Sequence, residues 1–276
     1  MVDEFRQNIR RKGQSEVKFW YSSDESAPSH VNGNHCHDAY EILYVLEGNG
    51  KYVIEGVEYP ICPGTVLFAP PFSYHSLKML ENTLYERYVL QFSVDNLTAE
   101  TQNLLSSITK SLEGVGCYYA ADTLSPSILT VFERFSYADI LPEAEANEYR
   151  RLLASEIVLL LSVATRESIP RDESELGARV IKYLNEHIEK NVSLDKLAKR
   201  FFVSKYYLCR AFKKHNGISV HGYINHKRVM YAKQLIEQGE TASSAAYRVG
   251  FGDYSAFYRA YVKIVGQAPT QVGKEK

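Results

Sequence analysis

Along residues 17 to about 95, apolar side chains come in short runs dense in tyrosine and β-branched residues, with turn residues roughly every ten positions. That pattern predicts short strands joined by tight turns, and so a β-sandwich or small barrel. Residues 41–47 and 51–59 flank Gly48-Asn49-Gly50, and Asn-Gly between apolar runs predicts a hairpin there. Pro63-Gly64 and Pro70-Pro71 punctuate two further short segments, and residues 85–93 read as another strand.

After residue 96 the apolar period lengthens. Residues 96–112 and 125–138 fit helices, and 143–167 fits a long one. Leu152, Leu153, Ile157, Leu160 and Leu161 line one side of it, and Val158 and Leu159 widen the stripe beyond what one packing face needs. Two readings follow: a helix laid across the barrel, or one that also makes a dimer seam. Residues 168–177 are polar, contain Pro170 and read as a linker. Beyond it the chain is helical throughout, in segments 174–190, 193–200, 205–215, 219–238, 241–249 and 254–264. Ser193, Ser204 and Asp253 stand as N-caps, and Gly217 ends the third segment.

This division gives the charge its meaning. The 276 residues suffice for two modest domains, and the formal net charge is only -1. Split after residue 174, the first part holds 14 Lys+Arg and 25 Asp+Glu (14 minus 25, or -11). The second holds 18 and 8 (18 minus 8, or +10). An acidic module is joined to a basic one, and basic modules meet polyanions. The cysteines Cys36, Cys62, Cys117 and Cys209 are scattered with no CxxC pair, which suits a reducing compartment. The first residues, MVDEFRQNIRRKGQ, lack the apolar core of a signal peptide. The most apolar stretch, residues 152–163, is too short and too interrupted to span a bilayer. A cytoplasmic protein without a membrane partner is expected.

The basic half repeats one plan: a short helix, a tight turn, then a helix with polar residues outward. Leu197, Ala198, Val203, Leu208 and Phe212 have the spacing of the inner face of a helix-turn-helix. Ala245, Ala246, Val249, Phe251, Phe257 and Tyr261 take that part in a second unit. The second helix of such a unit enters the major groove of DNA. Its outward candidates are Tyr206, Tyr207, Cys209 and Arg210 in the first unit, and Tyr254, Ser255 and Arg259 in the second. Arg210 and Arg259 suit guanine edges, while Lys205, Lys213, Lys214 and Lys263 suit phosphates. A connecting helix of about 20 residues spans about 30 Å. That is close to the ~34 Å of one DNA turn, so both reading helices can enter successive major grooves.

The stretches SLDKLAKRFFVSKYYLCRAFKKHNG and ASSAAYRVGFGDYSAFYRAYVKIVG resemble the two helix-turn-helix units of the AraC family of transcription regulators. The matching features are Val203-Ser204, Leu208, residues 210–214, Arg228 with Ala232 and Leu235, Gly250-Phe251, and Pro269. The resemblance implies that Tyr206, Cys209, Arg210, Tyr254, Ser255 and Arg259 face the bases. This chain departs at Tyr261-Val262-Lys263, where the family has Phe-Lys-Lys, so a phosphate contact at 262 is lost. Cys209 also stands where a polar residue is commoner.

The remaining chemistry lies in HCHDAYEILYVLEG, residues 35–48. On a regular strand His35, His37, Glu41, Leu43 and Val45 share one side, leaving Ile42, Tyr44 and Leu46 to pack on helices or a second sheet. His75, after Pro70-Pro71-Phe72, can return to the same interior. This H-x-H-x3-E-x6-G pattern, with Pro63-Gly64 and the later histidine, resembles the cupin motifs and the cupin-type effector domain of many AraC regulators. Three readings stand for His35, His37, Glu41 and His75. They hold a divalent metal, as imidazole and carboxylate favour; they line a metal-free pocket for a small effector, often a sugar; or they satisfy one another at a barrel mouth. Tyr40, Phe72 and Tyr74 offer aromatic faces for a sugar ring, or are plain core.

The expected architecture is multidomain, β + α. A cupin-like (jelly-roll) effector barrel covers 1–122, dimerisation helices and linker cover 123–170, and an all-α DNA-binding domain with two helix-turn-helix units covers 171–276. The expected protein is a regulator of sugar metabolism, not an enzyme and with no required cofactor. Its expected partners are promoter DNA, a carbohydrate effector, a second copy of itself and, for an activator, RNA polymerase. The rival reading is a metal-dependent cupin enzyme or metal sensor fused to a DNA-binding domain.

Overall fold

The computed structural model describes residues 16–24, 31–79, 83–110, 116–121, 123–124, 127–166, 175–188 and 192–269. Among the described residues, nine strands build the first half: β1 (Lys18–Asp24), β2 (Val31–His35), β3 (Tyr40–Glu47), β4 (Gly50–Ile54), β5 (Val57–Ile61), β6 (Val66–Ala69), β7 (His75–Met79), β8 (Tyr85–Phe92) and β9 (Cys117–Tyr119). They form two antiparallel sheets, ordered β1-β8-β3-β6-β9 and β2-β7-β4-β5. Strand alternation assigns the faces. Leu43, Val45, Leu67 and Val89 of the first sheet meet Tyr52, Ile54, Tyr59, Ile61 and Leu77 of the second inside the barrel. Ile42, Phe68, Leu90 and Phe92 point the other way, under a layer of helices. β3 and β6 are therefore covered on both sides, which explains their unbroken apolar runs.

The hairpin expected across residues 48–50 is not formed. β3 pairs with β6 and β8, whereas β4 pairs with β5 and β7, so Gly48-Asn49-Gly50 carries the chain from one sheet to the other. The hairpin turn lies within the second predicted strand, at Glu55-Gly56, with φ of 49° and 78°. Two positive φ values suit the primed turns that match strand twist. Glutamate is a poor resident of that conformation, so the local sequence does not signal it.

The helical layer comprises α1 (Ala99–Lys110), α2 (Ser127–Arg134) with a 3₁₀ turn (Phe135–Ile140), and α3 (Glu143–Val163). Leu153, Ala154, Ile157, Val158 and Leu161 of α3 are buried on the sheet with Leu105, Ile108, Val131 and Phe132. The long helix is thus laid across the barrel. Leu152 (49%), Leu159 (48%) and Val163 (76%) are left exposed along its outer side.

The second half contains α4 (Leu176–Glu186), α5 (Leu194–Arg200), α6 (Lys205–Asn216), α7 (Val220–Glu237), α8 (Ala242–Arg248) and α9 (Tyr254–Val265). Side chains of Ser193, Ser204, Ser219, Thr241 and Asp253 each accept the backbone N–H three residues on, capping α5 to α9. Gly217 and Gly266 end α6 and α9 in the left-handed conformation. Leu197, Leu208 and Phe212 are buried in one cluster, and Ala245, Ala246, Phe257 and Tyr261 in another. These are the two helix-turn-helix cores. α7 joins them, and its Arg228 donates to Ile188 O (3.0 Å) and Gly250 O (2.8 Å), tying the second unit's turn to the first unit. Of the linker read over residues 168–177, residues 168–174 lie outside the described residues, as does the tail beyond Pro269, whereas Leu176 and Gly177 already belong to α4.

Ile157→Ala, which empties a fully buried site between helix and sheet, is expected to lower stability by about 2–5 kcal/mol. Denaturant unfolding checks this; a loss below about 1 kcal/mol would show that α3 is not part of the barrel's core.

Candidate functional site

His35 and His37 do not share a regular strand with Glu41. His35 ends β2, opposite His75 on β7, while Glu41 lies on β3 in the other sheet. The bend at residues 36–39 carries the chain across the barrel mouth. Its result is a tight cluster. Ring nitrogens of His35, His37 and His75 lie within 4.8 Å of one another. His75 Nε2 is 3.1 Å from His35 Nε2, and His37 Nε2 is 3.1 Å from Glu41 Oε2. Glu41 also accepts from Tyr52 Oη (2.8 Å) and Gln91 Nε2 (2.8 Å), and its Oε1 is 3.6 Å from His75 Nε2. Sequence reasoning missed Tyr52 and Gln91. The signal was register: Gln91 sits directly opposite Glu41 on β8.

Donor and acceptor counting says what this cluster requires. His37 Nδ1 faces Ala39 O at 3.0 Å and His75 Nδ1 faces Ser73 O at 3.0 Å. A carbonyl only accepts, so each Nδ1 carries the proton, and in the neutral ring Nε2 presents a lone pair. The His75 lone pair points at His35 Nε2, and that of His37 lies between the Glu41 carboxylate and the Gln91 amide, whose Nε2 can donate to it at 3.1 Å. Burial pushes His75 down to about 3, against the opposing pull of Glu41, so it is neutral near pH 7. Burial would raise the Glu41 carboxyl. The neighbouring His75 and His37 imidazoles, with the hydrogen bond that Gln91 donates, outweigh it and hold the carboxyl well below its usual range. The site gathers three imidazoles around one buried negative charge, to which Tyr52 and Gln91 donate. A shared proton, a cation or the polar hydrogens of a ligand would satisfy it. Deeper in the barrel, the buried Tyr85 hydroxyl has no hydrogen-bond partner among the described residues, and Arg87 lies 4.6 Å over its ring.

Three residues assigned to the pocket lie elsewhere. Tyr40 points away from the histidines and stacks between Phe68 (5.7 Å) and Phe92 (5.5 Å) under the helical layer, because it is one residue out of phase with Glu41. Phe72 and Tyr74 face the DNA-binding half. Phe72 meets Tyr231 at 4.9 Å, and Tyr74 meets Tyr223 at 5.0 Å and His226 at 5.1 Å. Alternation again explains it: Tyr74 adjoins inward-facing His75. The platform expected for a sugar ring is therefore committed to packing.

In the DNA-reading half, Lys205, Tyr206 (77%), Tyr207 (56%), Arg210, Lys213 and Lys214 of α6 are exposed, and Cys209 is half-buried. On α9, Ser255, Arg259 and Lys263 are exposed, while Tyr254 is half-buried against Phe257 at 5.7 Å. Lys205 is held by Asp195 at 2.7 Å. Tyr207 and Lys214 line a cleft of about 790 Å³ whose opposite wall is Gly56, Val57, Glu58 and Lys78 of the barrel.

A jelly-roll barrel with a polar site, joined to two capped helix-turn-helix units, defines a DNA-binding regulator with a ligand-binding domain. Comparison with known proteins agrees. The model of the AraC-like ligand binding domain matches residues 21–162, and that of a helix-turn-helix domain matches residues 197–275. The chain belongs to the AraC family of transcription regulators. It is 29% identical over 227 residues to the uncharacterized HTH-type transcriptional regulator YbfI of Bacillus subtilis, covering 80% of each chain. It is 27% identical over 248 residues to the HTH-type transcriptional activator RhaS of an Enterobacter species, covering 86% of each. A crystal structure of apo ToxT from Vibrio cholerae aligns with 95% of this chain and 98% of that one at 14% identity, with a TM-score of 0.43. The YbfI and RhaS relatives are named as transcriptional regulators, not as enzymes. Among the described residues no helix is long and apolar enough to cross a membrane.

His226, between the two halves, gives a pH test. Burial, aided by Lys227, pushes it down to about 4. Its unfolded-state value is about 6.5. The unfolded chain therefore binds the extra proton first, so stability is full above about 6.5 and is lost as pH falls toward 4. His226→Gln is expected to lose less melting temperature between pH 7 and pH 5 than the parent. An equal loss would contradict a neutral His226.

Proposed function

We propose that this regulator senses a small, hydroxyl-rich effector of the carbohydrate class at the barrel site, and that as a homodimer it reads promoter DNA through α6 and α9. The observation that carries the effector reading is the gathering of His35, His37 and His75 around the buried Glu41 carboxylate, with a buried Tyr85 hydroxyl that has no hydrogen-bond partner among the described residues. A buried polar group left unpaired costs about 1–3 kcal/mol. A polyol supplies hydroxyl hydrogens to His35, His37, His75 and Glu41 and a hydroxyl oxygen to Tyr85. The exposed stripe of Leu152, Leu159 and Val163 on α3 supports the dimer seam. RNA polymerase is a further partner where the protein activates.

A second reading is favoured by one specific feature. The Nε2 lone pairs of His37 and His75 converge with Nε2 of His35 beside an ionised carboxylate, as a divalent cation requires. In that reading His35, His37, His75 and Glu41 hold the ion, and Ala39 O and Ser73 O orient two of the rings. The site then senses the metal or a ligand lying on it.

Thermal shift against a panel of sugars is expected to raise the melting temperature with at least one, and Glu41→Ala to abolish the rise. Stoichiometric metal in the purified protein, lost on His37→Ala, would instead select the second reading. Arg210→Ala and Arg259→Ala are each expected to weaken specific DNA binding about 5- to 150-fold, from the ~1–3 kcal/mol of a bidentate base contact. Unchanged affinity in both would refute the assignment of the reading helices. The Leu152→Glu, Leu159→Glu double variant is expected to sediment as a 31.4 kDa monomer, where the parent sediments as a dimer.

A further inference from the structure

The turns of the two helix-turn-helix units follow one backbone plan. In the first, Phe202 N–H donates to Lys199 O (3.3 Å) and Val203 N–H to Ala198 O (3.0 Å). In the second, Gly250 N–H donates to Tyr247 O (3.0 Å) and Phe251 N–H to Ala246 O (3.0 Å). Phe202 and Gly250 therefore hold the same place, and both have left-handed backbone, with φ of 55° and 95°. Glycine adopts that conformation without steric cost, and asparagine tolerates it. A phenylalanine there is strained.

That strain brings no packing inside the chain. Phe201 and Val203, on either side, turn inward onto the core of the first unit. Phe202 turns outward and is 95% exposed, the most exposed large apolar side chain among the described residues. Backbone strain and an aromatic ring in water thus coincide at one residue, and such outliers cluster where a ligand is held.

The surroundings define that ligand. Phe202 stands two residues before Ser204, the N-cap of α6, so its Cα lies within about 7 Å of the start of the reading helix. Lys199, Arg200 and Lys205, all exposed, flank it along the chain. The ring therefore extends the surface of Tyr206 and Arg210, among cations that suit a polyanion. In the major groove the apolar group on the base edges is the thymine 5-methyl, and phenylalanine is among the side chains that contact it.

We propose that Phe202 reads a thymine 5-methyl group at the flank of the half-site entered by α6. This rests on α6 being a DNA-reading helix and adds a base to what it reads. The second unit, with glycine at the same place, makes no such contact. The two half-sites then differ: the first requires thymine at a position where the second accepts any base.

The test uses the full-length protein and the duplex it selects from a random pool, followed by fluorescence anisotropy. Phe202→Gly and Phe202→Asn remove the ring and relieve the strain. Both are expected to melt no lower than the parent, yet to bind the duplex about fourfold or more weakly, the worth of one buried methyl group. The slope of log K against log salt is expected to stay as in the parent, because an apolar contact releases no counterions. Replacing the thymines one at a time by deoxyuridine deletes only the methyl. One replacement is expected to cost the parent about fourfold and the Phe202→Gly variant nothing, the coupling of a direct contact. Equal binding by parent and variants would overturn the DNA contact and leave the ring to a protein partner. Weaker binding by the variants with no thymine that behaves in this way would overturn the thymine reading. Unchanged affinity of Arg210→Ala, or failure of the parent to select any duplex, would overturn the DNA-reading role of α6 itself, a distinct result.

Discussion

One carboxylate determines how the two halves of this protein meet. Burying Glu55 removes an ion from water, and only a counter-charge and several donors together offset that desolvation. Those partners come from three places: Lys227 and Tyr223 on α7, Asn185 on α4, and the backbone of Tyr74 in the barrel itself. The contact therefore specifies one relative placement of barrel and DNA-binding domain. It also accounts for a glutamate in left-handed backbone at the turn, where asparagine or glycine would fit with less strain.

From that placement the rest follows by alternation along strands. β2, the bend after it and β7 form one wall with histidines on the inside and Cys36, Asp38 and Tyr74 on the outside. The inner face gathers imidazoles and an ionised carboxylate, a site that calls for added hydrogens or a cation. The outer face packs on the helix that fixes the spacing of the two DNA-reading units, with Arg228 carrying that spacing to the second turn. The halves carry opposite charges, -11 and +10 by residue count, which attract one another.

Much of this was legible from residue order alone. The helix-turn-helix units announced themselves through N-caps, small alanines and Gly217 at the end of the first reading helix, all local signals. The inward set Glu41, Leu43 and Val45 followed from the two-residue period of β3. Pairing between distant strands was not legible. Asn49-Gly50 carries a strong local turn signal, yet it links strands of different sheets, because burial of β3 on both faces decided its partners. The same limit misplaced Tyr40, Phe72 and Tyr74: Tyr40 adjoins Glu41, Tyr74 adjoins His75 and Phe72 precedes His75 by three, each an odd number of positions, which reverses the face. Glu55 gave no signal at all. Its role exists only once two domains are brought together.

The central claim is that the barrel site and the DNA-reading helices share a wall, so that occupying one changes the other. Hydrogen exchange of the full-length protein, with and without bound duplex, tests it most directly. The account predicts faster exchange at residues 35–38 and 72–76 when DNA binds α6 and α9, although no base or phosphate touches those strands. Unaltered exchange there, alongside protection of the reading helices, would contradict it.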